Sequence, residues 1–99
     1  MSFPELDPIL HSQLRLAIVS LLVQLGEADF NFLLKKTGAS PGNLSVQLGR
    51  LRDAGYVEVI KQFKNNYPQT VCRLLQEGES AFRTYVSAIS SYIHPKKTI

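Results

Sequence analysis

Apolar positions repeat with a helical period in four stretches of the chain, and the stretch between the third and fourth has strand character. The first stripe is Leu10, Leu14, Ala17, Ile18, Leu21 and Leu25, widened by Leu16, Val19 and Val23. A helix apolar on more than one face is either central in a core or shared with a partner. Asp7-Pro8 offers it a start, an N-cap followed by proline at the first helical position, and Gly26 offers a stop. Asp29 then predicts a cap for a short second helix through Lys36, with Phe30, Leu33 and Leu34 facing inward and Gly38 ending it. Ser40-Pro41 repeats the start signal for a third helix running to about Ala54. Its inward face is Leu44, Leu48 and Leu51, and Gly55 closes it.

Tyr56 to Phe63 is β-branched and aromatic, which predicts a strand. The segment from Lys64 to Gln69 carries turn formers and predicts a hairpin tip, and Thr70 to Leu75 is the returning strand. Glu77 or Glu79 starts a last helix that ends before Pro95. Its Phe82, Tyr85, Ile89 and Tyr92 are spaced as the seam of a helix that packs on another, and Val86 and Ile93 widen that seam. The expected fold class is therefore mainly α with a β-hairpin (α+β), in the order helix, helix, helix, hairpin, helix.

A short helix, a three- to four-residue turn from Thr37 to Ser40, and a capped helix make a helix-turn-helix. Such a motif sends its second helix into the major groove of DNA. That helix needs an apolar face to anchor it and a small, polar face to reach bases. Here the outward positions are Gly42, Asn43, Ser45, Val46, Gln47 and Arg50. Asn and Gln can pair bidentately with adenine, and Arg with guanine. The hairpin beyond it carries Lys61, Lys64, Asn65 and Asn66, with Arg73 on the return strand, and no acid between Glu58 and Glu77. A basic hairpin beside such a helix can straddle a phosphate backbone or enter the adjacent minor groove.

Charge sharpens this picture. Net charge is +3, but residues 35–75 hold seven basic side chains against two acids, while the flanks hold four against six. The middle of the chain is thus a basic face suited to a polyanion, with Lys35 and Lys36 as auxiliary phosphate contacts. Hydrophobic residues at 44% and charged residues at 19% fit a globular domain. The longest apolar stretch, Leu14 to Leu25, is interrupted by Arg15, Ser20 and Gln24 and is too short for a membrane span. No signal peptide is recognisable at the start. The lone Cys72 permits no internal disulfide and predicts core packing. His11 and His94 lie far apart without metal-ligand spacing, so no metal or other cofactor is expected. No nucleophile–base pair or Gly-rich phosphate loop is present, so the chain is not expected to be an enzyme.

The run Ser40-Pro41-Gly42-Asn43-Leu44-Ser45, followed by Leu48, Leu51, Gly55-Tyr56-Val57, Lys61, Phe63, Pro68, Thr70 and Leu74, resembles the small winged-helix transcriptional regulators of the MarR/ArsR group. The resemblance spans about residues 6–93 and is most specific from Gly42 to Val57. It implies one winged-helix domain, with a recognition helix at about 41–54, a wing at about 57–75 and a dimerisation helix at about 77–93. It further implies a homodimer on palindromic operators in a bacterial or archaeal cytoplasm, most often a repressor. Two departures stand out: Glu77-Gly78 where relatives carry a Thr before the final helix, and Gly49 in mid-helix.

The dimer is expected on physical grounds as well. Exposed, the terminal-helix stripes would form an adhesive patch, so Leu16, Val19, Phe82, Tyr85, Val86, Ile89, Tyr92 and Ile93 are expected at an interface with a second copy. An apolar hollow between the first and last helices would be the place for a small-molecule effector, though no motif marks one. The expected partners are double-stranded DNA and a second copy of the chain, with no membrane. The alternative is a winged helix used as a protein–protein module, its basic face meeting an acidic partner. Its weakness is the small, polar reading face, which lacks the aromatic anchors of protein interfaces.

Overall fold

The computed structural model describes residues 3–94. Four helices and three strands follow one another as α1 (Gln13–Leu25), β1 (Glu27–Asp29), α2 (Phe30–Thr37), α3 (Pro41–Asp53), β2 (Val57–Lys64), β3 (Tyr67–Leu74) and α4 (Gln76–Ile93). The expected order stands, with one addition. The three-residue β1 pairs antiparallel with β3, Glu27 opposite Arg73 and Asp29 opposite Val71, so the sheet runs β1-β3-β2. Three residues with one apolar position carry no readable strand period, which is why the sequence pattern missed it.

The first helix starts later than Asp7-Pro8 predicts. Asp7 caps a separate turn: its Oδ1 accepts from the Ile9 amide at 2.8 Å and its other oxygen accepts from the Tyr56 hydroxyl. Residues 8–12 are thereby held as turns, and α1 begins only after Ser12. The other stops and starts agree with the sequence. Gly26 ends α1 at positive φ, Asp29 caps α2 by accepting from Phe32, and Ser40 caps α3 by accepting from Asn43 with Pro41 at the first turn. The predicted stop at Pro95 lies outside the described residues; α4 reaches Ile93.

The core is built from Leu10, Ile18, Val19, Leu22, Leu33, Leu44, Leu48, Leu51, Val57, Cys72 and Tyr85. Helices α1, α2 and α3 each donate one apolar face to it, and the inner end of the hairpin closes it. Gly78 lets α4 join this assembly. A Cβ at that position would stand 2.3 Å from the Tyr56 carbonyl oxygen, a distance that no side chain tolerates. Close approach of the α4 first turn to the α3–β2 junction thus explains the Glu77-Gly78 departure, and α4 starts without a side-chain cap. Gly49 differs: an added Cβ would meet only an Arg52 guanidinium nitrogen at 3.6 Å, so packing within the chain does not require glycine there.

Candidate nucleic-acid interface

Helix α3 presents the two faces its sequence predicts. Leu44, Leu48 and Leu51 are buried, while Gly42, Asn43, Ser45, Val46 and Arg50 are exposed. Gln47 departs from the expectation of a free base-reading amide. It is half-buried, its Nε2 donates to Asn43 Oδ1 at 3.0 Å, and its Oε1 accepts from Arg15 of α1.

The hairpin is tighter than the predicted six-residue tip. Asn65 and Asn66 alone form the turn, at φ 53° and 65°, the paired left-handed conformation of a two-residue hairpin. Tyr67 and Pro68 therefore belong to β3, opposite Lys64 and Phe63. Proline is tolerated there because the pair next to the turn residues' own pair exchanges no ladder bonds. Beyond β1's reach, nothing on the other side asks for its missing N–H. All residues from Lys61 to Pro68 are exposed.

Two aromatic rings at this tip escaped the sequence pattern: Phe63 is 77% exposed and Tyr67 74%. Phe63 falls at the end of the predicted strand and Tyr67 in the predicted tip, and the apolar period singles out neither. The signal that marks them is register: the two rings flank a two-residue turn, outside any surface that α1, α2 or α3 can cover.

Between α3 and the wing lies a cleft of about 350 Å³ lined by Phe30, Ser45, Leu48, Gly49, Arg52, Val59, Lys61 and Thr70. It brings a cation of the helix and a cation of the wing to one concavity. Arg52, which the helical period alone does not single out, also pairs with its neighbour Asp53 at 3.3 Å. The absent Gly49 side chain keeps the helix wall of this cleft open. Lys35 and Lys36 are exposed in the last turn of α2, Lys36 Nζ lying 5.7 Å from the centre of the Phe32 ring.

Arg73 is placed differently from its expected role as a wing phosphate contact. It sits at the inner end of the hairpin, where its guanidinium pairs with Glu27 and with Glu58, both at 3.2 Å. Two carboxylates more than neutralise it. Cys72 beside it is buried, and burial pushes its thiol up to about 12, which keeps it protonated and unreactive at neutral pH. Tyr56 is also pushed up to about 12, by burial and then by the Asp7 carboxylate that accepts its hydroxyl proton. Among the described residues no group of three or more metal-ligating side chains comes together. No described helix is long and apolar enough to cross a membrane.

The terminal-helix face divides in two. Val19 is fully buried inside the chain, and Tyr85 is buried with its hydroxyl 3.0 Å from His11 Nδ1. Both therefore serve the chain's own core rather than an outer surface. Tyr92 stacks on Phe3 at 4.7 Å and donates to the Pro4 carbonyl at 2.7 Å. What stays open is a shallow groove lined by Leu16, Ser20, Phe82, Tyr85, Val86 and Ile89, with Val86 49% and Ile93 64% exposed.

A profile of winged helix DNA-binding domains matches residues 14–93. The chain belongs to that family. Within it, an uncharacterized protein of Methanocaldococcus jannaschii is 32% identical over 81 residues, covering 82% of this chain and 88% of the relative. A transcriptional regulator homologue from Pyrococcus horikoshii superposes with a TM-score of 0.81 at 27% identity, over 86% of this chain and 84% of that one. The transcriptional repressor BigR of Xylella fastidiosa does so with a TM-score of 0.63 at 28% identity, over 91% and 83%. The winged helix DNA-binding domain is thus the one that the motif from Ser40 to Leu74 implied, and these solved neighbours are a transcriptional regulator homologue and a transcriptional repressor.

Proposed function

We propose that the chain is a sequence-specific regulator of transcription that binds duplex DNA as a homodimer. Helix α3 lies in the major groove, with Gly42 and Ser45 admitting close approach and Asn43, Val46 and Arg50 meeting base edges. The wing tip, with Lys61, Lys64, Asn65 and Asn66, follows the backbone into the neighbouring minor groove, where Phe63 and Tyr67 pack against sugars. The observation that carries this reading is the open cleft between α3 and β2–β3, lined on one side by Arg52 and on the other by Lys61. A phosphate backbone running along it would find a cation on each wall, with Lys35 and Lys36 as outer contacts. Repression follows from occupying a promoter in the cytoplasm.

The second copy covers the groove between α1 and α4, burying Leu16, Phe82, Val86, Ile89 and Ile93. A chain with a radius of gyration of 15.4 Å and extents of 64 × 25 × 21 Å is more drawn out than a closed domain of this length, for which about 13 Å is usual. The open apolar side of α4 beside α1 is what a partner helix covers. Two-fold pairing puts the two α3 helices about 34–36 Å apart, one turn of DNA.

Selection of bound sequences from random duplexes tests the reading. The expected result is an inverted repeat with half-sites one turn apart. Recovery of unenriched sequence at low salt contradicts it. Sedimentation of the wild type against Val86→Glu tests the pairing: a dimer is expected for the first and a monomer for the second.

A further inference from the structure

The hydrogen bonds around Gln47 have a direction, and Arg15 sets it. Arg15 reaches from α1 across to α3. Its Nε donates to the Ile9 carbonyl at 2.6 Å, one terminal nitrogen lies 3.4 Å from the Pro8 carbonyl, and the other donates to Gln47. A guanidinium carries donors only, so the Gln47 atom that faces it must be the carbonyl oxygen. The amide nitrogen of Gln47 is then turned toward Asn43, and the atom it meets there must be an acceptor, Oδ1, at 3.0 Å. That leaves the Asn43 amide nitrogen as the outward group, and among the described residues it donates to no protein atom. Asn43 is exposed in the first turn of α3. Each step follows from the donor inventory of the preceding side chain, so exchanging either amide's nitrogen and oxygen would place donor against donor.

We infer that Arg15 is a positioning residue that fixes the hydrogen-bond polarity of the α3 reading face, so that Asn43 meets the operator as a donor. This rests on the reading of α3 as a major-groove helix. It also narrows the operator. The donor-only free groups of this face are the Asn43 amide nitrogen and the Arg50 guanidinium, which has no protein partner among the described residues, while the exposed Ser45 hydroxyl can donate or accept and so sets no polarity. Donors suit the acceptor edges of guanine (N7 and O6) and thymine (O4) and oppose the amino group of cytosine. Val46 between them is 53% exposed and suits the thymine methyl group. A bidentate contact of Asn43 or Gln47 with adenine, the pairing their residue types suggest, is disfavoured because the Gln47 amide already bridges Arg15 and Asn43.

The test is selection from random duplexes by the full chain, wild type and variants in parallel. At the half-site position under Asn43, the wild type should prefer guanine or thymine over cytosine by a factor on the order of ten. Arg15→Met should cut that preference to about twofold or less, and Arg15→Lys, another donor-only side chain, should restore most of it. Asn43→Asp still accepts from Gln47 but offers an acceptor outward, so it should turn the preference toward cytosine. Gln47→Glu keeps the Arg15 contact yet can only accept from Asn43, which turns the Asn43 oxygen outward, and it should shift the same position toward cytosine. Thermal melting of each variant separates loss of fold from loss of reading, and the exposed Asn43→Asp substitution decides the matter if Arg15→Met does not fold. A wild type that selects a motif, with Arg15→Met or Asn43→Asp selecting the same motif, overturns the Arg15 assignment alone. A wild type that selects nothing overturns the groove reading beneath it.

Discussion

The two ends of one hairpin obey different rules. At the inner end Val57, Val71 and Cys72 are buried, and Arg73 lies between Glu27 and Glu58. There Gly78 lets α4 close against the Tyr56 carbonyl. At the outer end eight consecutive residues, Lys61 to Pro68, are exposed, with no acid among them and with two bare aromatic rings. The same two strands are thus a piece of the core at one end and a cationic, aromatic probe at the other. Arg73 is neutralised by carboxylates from the neighbouring strands, whereas Lys61 and Lys64 at the tip are left without carboxylate partners among the described residues. Proximity in sequence does not separate the two roles, since Arg73 and Lys61 belong to one antiparallel pair; strand register does.

That division can be broken from either side. The largest effect is expected at the inner end. Gly78→Ala forces a methyl group against the Tyr56 carbonyl oxygen and should cost about 2–3 kcal/mol, lowering the melting temperature by roughly 10 °C or more in a thermal scan. At the outer end, the double substitution Phe63→Ser, Tyr67→Ser should leave the melting temperature nearly unchanged, since neither ring is packed. It should weaken operator binding about tenfold in an anisotropy titration, because two rings no longer leave water on binding. Lys61→Ala with Lys64→Ala removes four cations from a two-winged dimer and should reduce the slope of log affinity against log salt by about 3 to 4, since each phosphate that a cation neutralises adds about 0.9 to it. Arg73→Ala is the smallest. Exposed ion pairs contribute less than about 1 kcal/mol, so stability should fall by no more than that and the salt slope should stay as in the wild type. A slope that drops with Arg73→Ala and holds with the lysine pair would reverse the assignment of the two ends.

Most of the fold was legible because helix caps and apolar periods are local. Asp29, Ser40-Pro41, Gly26 and Gly38 punctuate the helices where the structure ends and starts them. The misplaced features are those decided at a distance. Asp7 looks like a helix cap until Tyr56, 49 residues away, donates to it. Arg73 looks like a wing cation until β1, itself too short to carry a pattern, brings Glu27 opposite it. Gln47 looks like a free reading amide until Arg15 reaches it from another helix. Pro68 looks like a turn residue until two left-handed asparagines complete the hairpin without it. The outward face of α3, by contrast, follows from the period of Leu44, Leu48 and Leu51 alone, because burying one side of a helix exposes the other.

The most direct test of which surface meets DNA is backbone amide chemical-shift mapping of the labelled protein titrated with its selected operator. The account predicts the largest perturbations at Gly42 to Arg50 and at Lys61 to Tyr67, with Arg73, Glu27 and the α1–α4 groove little changed. Perturbations concentrated on Leu16, Phe82, Val86 and Ile89, with α3 and the wing tip silent, would contradict it.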